Sequence, residues 1–344
     1  VDQGLIEFPD QYVPVKLNLW KGRELSPQAF TEDDKQDLYV TCPDGYVGSG
    51  LFGKGFIHAI GTVQWQKVGS WESEPLRGGL NIQASGAAAP ITYSVYLTAK
   101  DISTYGATFA FTILLNGRPY TGNSDPANWT TVNVDIPAGQ IKLLTVEDRD
   151  FNLTTYLKDI KPGDRVGVEI WCKLQGNVQL IYGSNAHASN VQIVANAIRY
   201  KKLELTRSEV RAVFYDSFSV PPYKMKSGFD IDGGIYQVLP EIFVDSEGCQ
   251  GFKWTLPEKL DIGPHVLRVF IAYDPLSNQS FEAAKNFDLK GAQMDPFMQL
   301  LGIVGPFIAL ILVLIIASVA WRAYNNRKME RYLMEHPELL EELE

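Results

Sequence analysis

At 344 residues, with 45% hydrophobic and 21% charged side chains, the chain is long enough for two ordinary domains, and its composition excludes wholesale disorder. A net charge of −9 excludes nucleic acid as the main partner, because a phosphate-binding surface needs a basic stripe and the only such run follows Trp321.

The opening VDQGLIEFPD has neither the basic n-region nor the apolar h-region of a secretory signal, so such a signal either was removed or never existed. From there to Leu289 the chain alternates polar and apolar residues between turn residues, and the alternation predicts strands. VKLNLW (15–20) and DLYVTC (37–42) are followed by strands at 58–68, 91–100, 108–115, 131–136 and 141–147. A second run occupies 165–174, 177–183, 190–197, 210–216, 236–244, 251–256, 265–273 and 280–289. Asn116-Gly117, Pro162-Gly163-Asp164 and Gln175-Gly176 mark turns between them. NLTTYLKDI (152–160) and LTRSEVRAV (205–213) are spaced as short helices. Long helical crossovers are lacking, so the expected fold is all-β: two consecutive antiparallel jelly-roll sandwiches plus one C-terminal transmembrane α-helix.

A division near 150 gives an N-terminal jelly roll with its arm (1–150), then a linker helix and C-terminal jelly roll (151–290). This division is the expectation, because each half then holds a full set of strands. A division near 200 would instead give one large jelly roll followed by an immunoglobulin-like sandwich.

Between Phe297 and Trp321 no residue is charged, and 25 helical residues at about 1.5 Å each can cross a ~30 Å hydrocarbon core. Pro306 is tolerable in such a helix, Trp321 is placed as an interface residue, and Arg322, Arg327, Lys328 and Arg331 follow as an inner-face basic cluster. The lipid bilayer is thus the expected partner of 297–321, with 1–296 outside and a charged tail (322–344) inside. The short segment 288–296 would keep the β body close to the membrane.

Residues suited to chemistry do not assemble into a catalytic set. GSGLFG (48–53) has dinucleotide-loop spacing but runs on into a strand pattern rather than a helix. His58, His187, His265 and His336 never fall at ligand spacing, so no metal or cofactor is expected. Asp230-Ile-Asp232-Gly233 resembles part of a calcium loop that no downstream Glu completes. EDRD (147–150) offers clustered carboxylates without the cleft a glycosidase needs, and neither a Gly-x-Ser-x-Gly elbow nor a Ser/His/Asp set is evident. The expectation is a non-enzyme. Cys42, Cys172 and Cys249 are too few for a disulfide scaffold and read as buried thiols, although one pair could bridge. Asn128, Asn152 and Asn278 head N-x-[ST] sequons and are candidate glycosylation sites on the outer side.

Two β sandwiches, one C-terminal membrane helix and no catalytic set resemble the double jelly-roll major capsid proteins of membrane-containing icosahedral viruses. That resemblance implies a coat protein of the virion. It would assemble as homotrimeric pseudo-hexagonal capsomers with lateral copies of itself, beside penton or minor membrane proteins. The anchor would sit in the internal viral membrane, and the basic cluster would touch nucleic acid at most weakly. The alternative is a single-pass cell-surface protein, a jelly roll plus an immunoglobulin-like domain, binding carbohydrate or a protein partner. GDRVGVEIWCKLQGNVQLIYGS (163–184) suits the closing strands of a carbohydrate-binding jelly roll, and a boundary near 200 would favour this view. A coat protein should expose lateral apolar patches, whereas an adhesin should not.

Overall fold

The computed structural model describes residues 8–47, 62–83, 91–148, 160–276, 278–290 and 296–335. The described chain is antiparallel β followed by one helix, and its sheets pair into two sandwiches, as the alternation predicts.

The first sandwich is built from β1 (Val13–Leu19), β6 (Gln66–Glu72), β7 (Ile91–Ala99), β8 (Thr104–Leu115), β10 (Thr130–Ile136), β11 (Ile141–Asp148), β12 (Val166–Lys173) and β14 (Asn190–Ala195). One sheet runs β1-β14-β7-β11 and the other β6-β12-β8-β10. Lettered B to I in chain order, these are B-I-D-G and C-H-E-F, the winding of a jelly roll. Short additions extend it: β2 (Leu25–Ser26) on β1, β9 (Arg118–Pro119) on β8, and β3 (Leu38–Cys42) paired to β13 (Val178–Tyr182). The small pair β4 (Tyr46–Val47) and β5 (Thr62–Val63) stands apart. In β7 the inward Ile91, Tyr93, Val95 and Leu97 are all buried, and Tyr93 stacks on Phe111 of the opposite sheet at 5.0 Å. Each such side chain contributes about 1.5–3 kcal/mol by leaving water.

The second sandwich holds β15 (Ile198–Leu205), β16 (Glu209–Asp216), β17 (Lys226–Ile231), β18 (Gly234–Tyr236), β19 (Glu241–Val244), β20 (Gln250–Thr255), β21 (Gly263–Ala272) and β22 (Phe281–Leu289). Its sheets are β15-β16-β20-β19 and β18-β17-β21-β22. Four hairpins alternate between the sheets, giving A-B-E-D against C′-C-F-G, the immunoglobulin-like order. Phe229 meets Trp254 at 5.2 Å across its core.

The domain division therefore differs from the expected one. β12 pairs with β8 and β6, β13 with β7, and β14 with β1, so strands after 160 complete sheets begun before 100. A unit ending at 150 would leave the ladders of the central strands β7 and β8 open. The change of sandwich falls between Ala195 and Ile198. Of the expected linker helix at 152–160, residues 152–159 lie outside the described residues, and Ile160 forms an antiparallel bridge with Leu80. The expected helix at 205–213 is instead the β15–β16 hairpin: Thr206 Oγ1 accepts from the Glu209 amide at 3.0 Å, and Val210, Ala212 and Phe214 alternate inward. The expected strand 236–244 breaks at Pro240 into β18 and β19, which belong to different sheets.

The two sandwiches share one contiguous buried cluster. Asn196, buried at the crossing, accepts from the Asn81 amide at 2.7 Å and donates to Asp10 Oδ2 at 3.1 Å. A separate unit contains the helix α1 (Pro296–Glu335), which opens on Pro296, a residue suited to a first helical position, and runs through Pro306.

Candidate functional site

The outer face of the jelly roll's larger sheet carries a transverse row set by register. Leu143 on β11 lies opposite Tyr96 on β7, Tyr96 opposite Ile181 on β13, and Ile181 opposite Tyr39 on β3. The neighbouring row is Ile141, Thr98, Gln179 and Thr41. Paired residues share a face, so an aromatic and aliphatic strip lies beside hydroxyls and an amide. Tyr39 is 51% exposed and Leu143 48%, whereas Tyr96 is partly buried and Ile181, between the two tyrosines, is fully buried.

The β13–β14 loop folds over the middle of this face, and the cause is local. β7 pairs with β14 as far as Ser94 and with β13 from Tyr96, so the Tyr96 amide falls between two ladders. Ser189 closes the gap: its Oγ accepts from the Tyr96 amide at 2.9 Å and donates to the Ile181 carbonyl at 2.5 Å. The loop then sets the His187 ring edge-on to Tyr96, centroids 5.1 Å apart. Asp37, just before β3, accepts from the Ser184 hydroxyl and lies 2.8 Å from His187 Nδ1. A carboxylate only accepts, so the ring presents an N–H at Nδ1 to Asp37.

Sequence reading found no Ser/His/Asp set, and this cluster was missed because its members are 150 residues apart in the chain. The hydroxyl bonds to the carboxylate rather than the imidazole, which is not the order of a nucleophile–base–orienter relay. The arrangement instead holds polar groups rigidly beside the half-exposed Tyr39 and the partly buried Tyr96.

His265 pairs with Asp232, Nδ1 to Oδ2 at 2.7 Å, while Asp232 Oδ1 accepts from the Val266 amide. Asp232 (φ 54°) and Gly233 (φ 81°) form the turn of the β17–β18 hairpin, so Asp230-Ile-Asp232-Gly233 is turn chemistry with an occupied carboxylate. No group of three metal-ligating side chains occurs among the described residues. Glu147 and Asp148 are consecutive on β11 and point to opposite faces: Glu147 is exposed, whereas Asp148 is buried and accepts from Tyr120 Oη at 2.8 Å. His58, His336, Arg149, Asp150 and the GSGLFG loop lie outside the described residues.

Asn128 is exposed in the turn before β10, and Asn278 is exposed before β22; Asn152 lies outside the described residues. The three cysteines are buried and free. On α1 the stretch Ala309–Arg331 has a mean hydropathy of 1.4 and is long and apolar enough to cross a membrane. Phe297 and Pro306 lie on the same helix before it; Trp321 and the cluster Arg322, Arg327, Lys328 and Arg331 fall within the stretch and are exposed.

No protein-family model and no curated protein matches this chain. A comparison with solved structures finds a CocE/NonD family hydrolase from Staphylococcus aureus, 9% identical with a TM-score of 0.27. The match covers 55% of this chain and 37% of that one, and it carries no argument about function.

Proposed function

We propose that the chain is a single-pass surface protein, held by α1, whose jelly roll binds carbohydrate on the Tyr39–Tyr96 face. The observation that carries this reading is the register row in which the exposed Leu143 and Tyr39 and the partly buried Tyr96 lie beside Thr98, Gln179 and Thr41, with Ile181 buried between the tyrosines. Tyrosine rings present flat apolar area with little side-chain entropy to lose, and nearby hydroxyls, an amide and the Asp37–His187 pair offer the fixed hydrogen bonds that sugar hydroxyls need. The chain order, a jelly roll followed by an immunoglobulin-like sandwich and a membrane-length helix, supports the surface-protein reading over a double jelly-roll coat. The span would be 297–321, with the four basic residues at the inner head groups.

The coat-protein reading retains one observation in its favour. Ile235, Leu239, Ile242 and Val244 are exposed along the consecutive edge strands β18 and β19 of the second sandwich, as lateral contacts between copies would require.

Full-length protein in lipid nanodiscs tests the first reading on a glycan array. Saturable binding that Tyr39→Ala and Tyr96→Ala each weaken about tenfold supports it. Absence of binding, together with light scattering that shows trimers or larger arrays in detergent, would replace it with the coat reading.

A further inference from the structure

A second binding site lies at the junction of the two sandwiches. An open cleft of about 800 Å³ is bounded there by the Phe8–Asp10 arm, the Arg77–Gly79 segment and the first residues of β15. Its volume falls in the range of small-molecule pockets, roughly 300–1,000 Å³.

The chain builds this cleft around a guanidinium. Arg199, the second residue of β15, lies opposite Tyr215 on β16, both on the outer face of that sheet. Arg199 Nη2 donates to the Gly79 carbonyl at 3.1 Å, and Ser217 Oγ donates to the same carbonyl at 3.0 Å. The glycines permit the approach: a Cβ on Gly78 would stand 3.2 Å from Arg199 Nη2, and one on Gly79 would stand 3.2 Å from the Ile160 carbonyl. Arg199 Nε, although buried, has no hydrogen-bond partner among the described residues. A buried donor left unpaired is costly, so the position favours an acceptor.

Charge points the same way. Among the described residues neither Arg77 nor Arg199 has a carboxylate within ion-pair distance. Lys201, also in the lining, is already held by Asp245 at 2.9 Å and Glu247 at 2.5 Å. Two forks without an ion-pair partner thus flank the cleft, Arg77 lying within electrostatic reach of the buried Asp216. Phe8, Tyr200 and Tyr215 complete its lining, the Tyr200 hydroxyl donating across the second sandwich to the Phe281 carbonyl at 2.8 Å. Asp10 stands at its edge, bonded to Asn196, with acceptor capacity remaining.

We infer that this cleft binds an acidic monosaccharide unit, with its carboxylate on Arg199 and Arg77, its ring against the aromatic side chains and a hydroxyl donating to Asp10. A planar fork matches a planar carboxylate with two parallel hydrogen bonds. The inference rests on the cleft alone and not on the Tyr39–Tyr96 face.

The test is calorimetric titration of full-length protein in nanodiscs with glucuronate, glucose and inorganic phosphate. Glucuronate should bind saturably and glucose should not. Arg199→Gln, and separately the exposed Arg77→Gln, should each weaken glucuronate by about tenfold or more, the loss expected of a charge-assisted hydrogen bond. Tyr39→Ala should leave this affinity unchanged, which separates the cleft from the outer face. Melting curves of both arginine variants monitor folding, and Arg77→Gln carries the test if Arg199→Gln unfolds. Absence of saturable glucuronate binding overturns the inference. So does phosphate binding without glucuronate binding, or an affinity that a folded Arg77→Gln leaves intact.

Discussion

Cys42 on β3 and Cys172 on β12 are neighbours between the two sheets of the jelly roll, and the Cys172 thiol donates to the Pro43 carbonyl at 3.6 Å. The adjacent Cys172 thiol, with burial, pushes the Cys42 thiol well above its ordinary range, so little thiolate forms at neutral pH. The pair is nevertheless placed for a disulfide once an oxidant reaches it. Oxidised glutathione, taking up the two electrons, should convert Cys42 and Cys172 together and leave Cys249 reduced. Peptide mass mapping after alkylation reads this directly. A cross-link closing so long a loop should raise stability by about 4–5 kcal/mol. Any disulfide that includes Cys249 would contradict the pairing.

The crossing at Asn196 makes a mechanical prediction. Its side chain ties the Asn81 segment of the jelly roll to Asp10 while the chain enters β15. Arg77 N also donates to the Ser217 carbonyl at 3.0 Å, and Tyr200 of the second sandwich rests 6.1 Å from the Phe8 ring. With one buried cluster running through both, the two sandwiches should melt as a single transition in calorimetry. Asn196→Ala removes the acceptor of the Asn81 amide inside that junction and should cost about 1–3 kcal/mol. Two resolved transitions in the unaltered protein would show that the sandwiches are independent.

The strands were legible wherever one face is buried and the other wet. The predicted 91–100 and 141–147 correspond to Ile91–Ala99 and Ile141–Asp148, because alternation records burial residue by residue. β15 was missed because its bulge places both Lys201 and Lys202 outward and interrupts the period of two. The division between sandwiches was legible only as the alternative near 200 and not as the expected one near 150, since pairing such as Val15 with Ile193 depends on winding and leaves no local mark. The Asp37–His187 pair was hidden for the same reason. Asn128 and Asn278 were legible as exposed turn positions, because turn residues and polarity are local properties.

The outer-face reading predicts a separation of binding from stability. Tyr39 is half exposed, so Tyr39→Ala should leave the melting temperature within about a degree or two of the parent while weakening glycan binding about tenfold. Asp37→Asn should instead disturb the loop, since Asp37 holds both Ser184 and His187. Its binding loss should come with altered histidine imidazole shifts by NMR. Equal effects of both substitutions on melting would argue that Tyr39 serves packing.

Asp216 gives the clearest pH dependence. It is fully buried at the end of β16, and burial pushes its carboxyl up to about 6, although bonds from Tyr273, Phe218 N and Val220 N and the charge of Arg77 oppose the rise. Phe218 N donates at 3.0 Å and Val220 N at 2.5 Å, and the Tyr273 hydroxyl completes the set. An unfolded aspartate titrates near 4, so between about pH 4 and 6 the folded chain holds a proton that the unfolded chain has lost. Stability from this group is therefore full below pH 4 and falls as pH rises through 6, by about 3 kcal/mol in all. Asp232 and Asp245 are shifted the other way, downward, so their contributions are complete above pH 4 and fade only in stronger acid. His265, shifted upward by Asp232, loses its contribution only above its ordinary range. The interval from 4 to 6 thus isolates Asp216. Urea titrations across it should show declining stability for the parent protein and a flat profile for Asp216→Asn, which keeps the shape but cannot ionise. A parent profile that rises from pH 4 to 6 would mean that the three donors outweigh burial and that the carboxylate is ionised in the core.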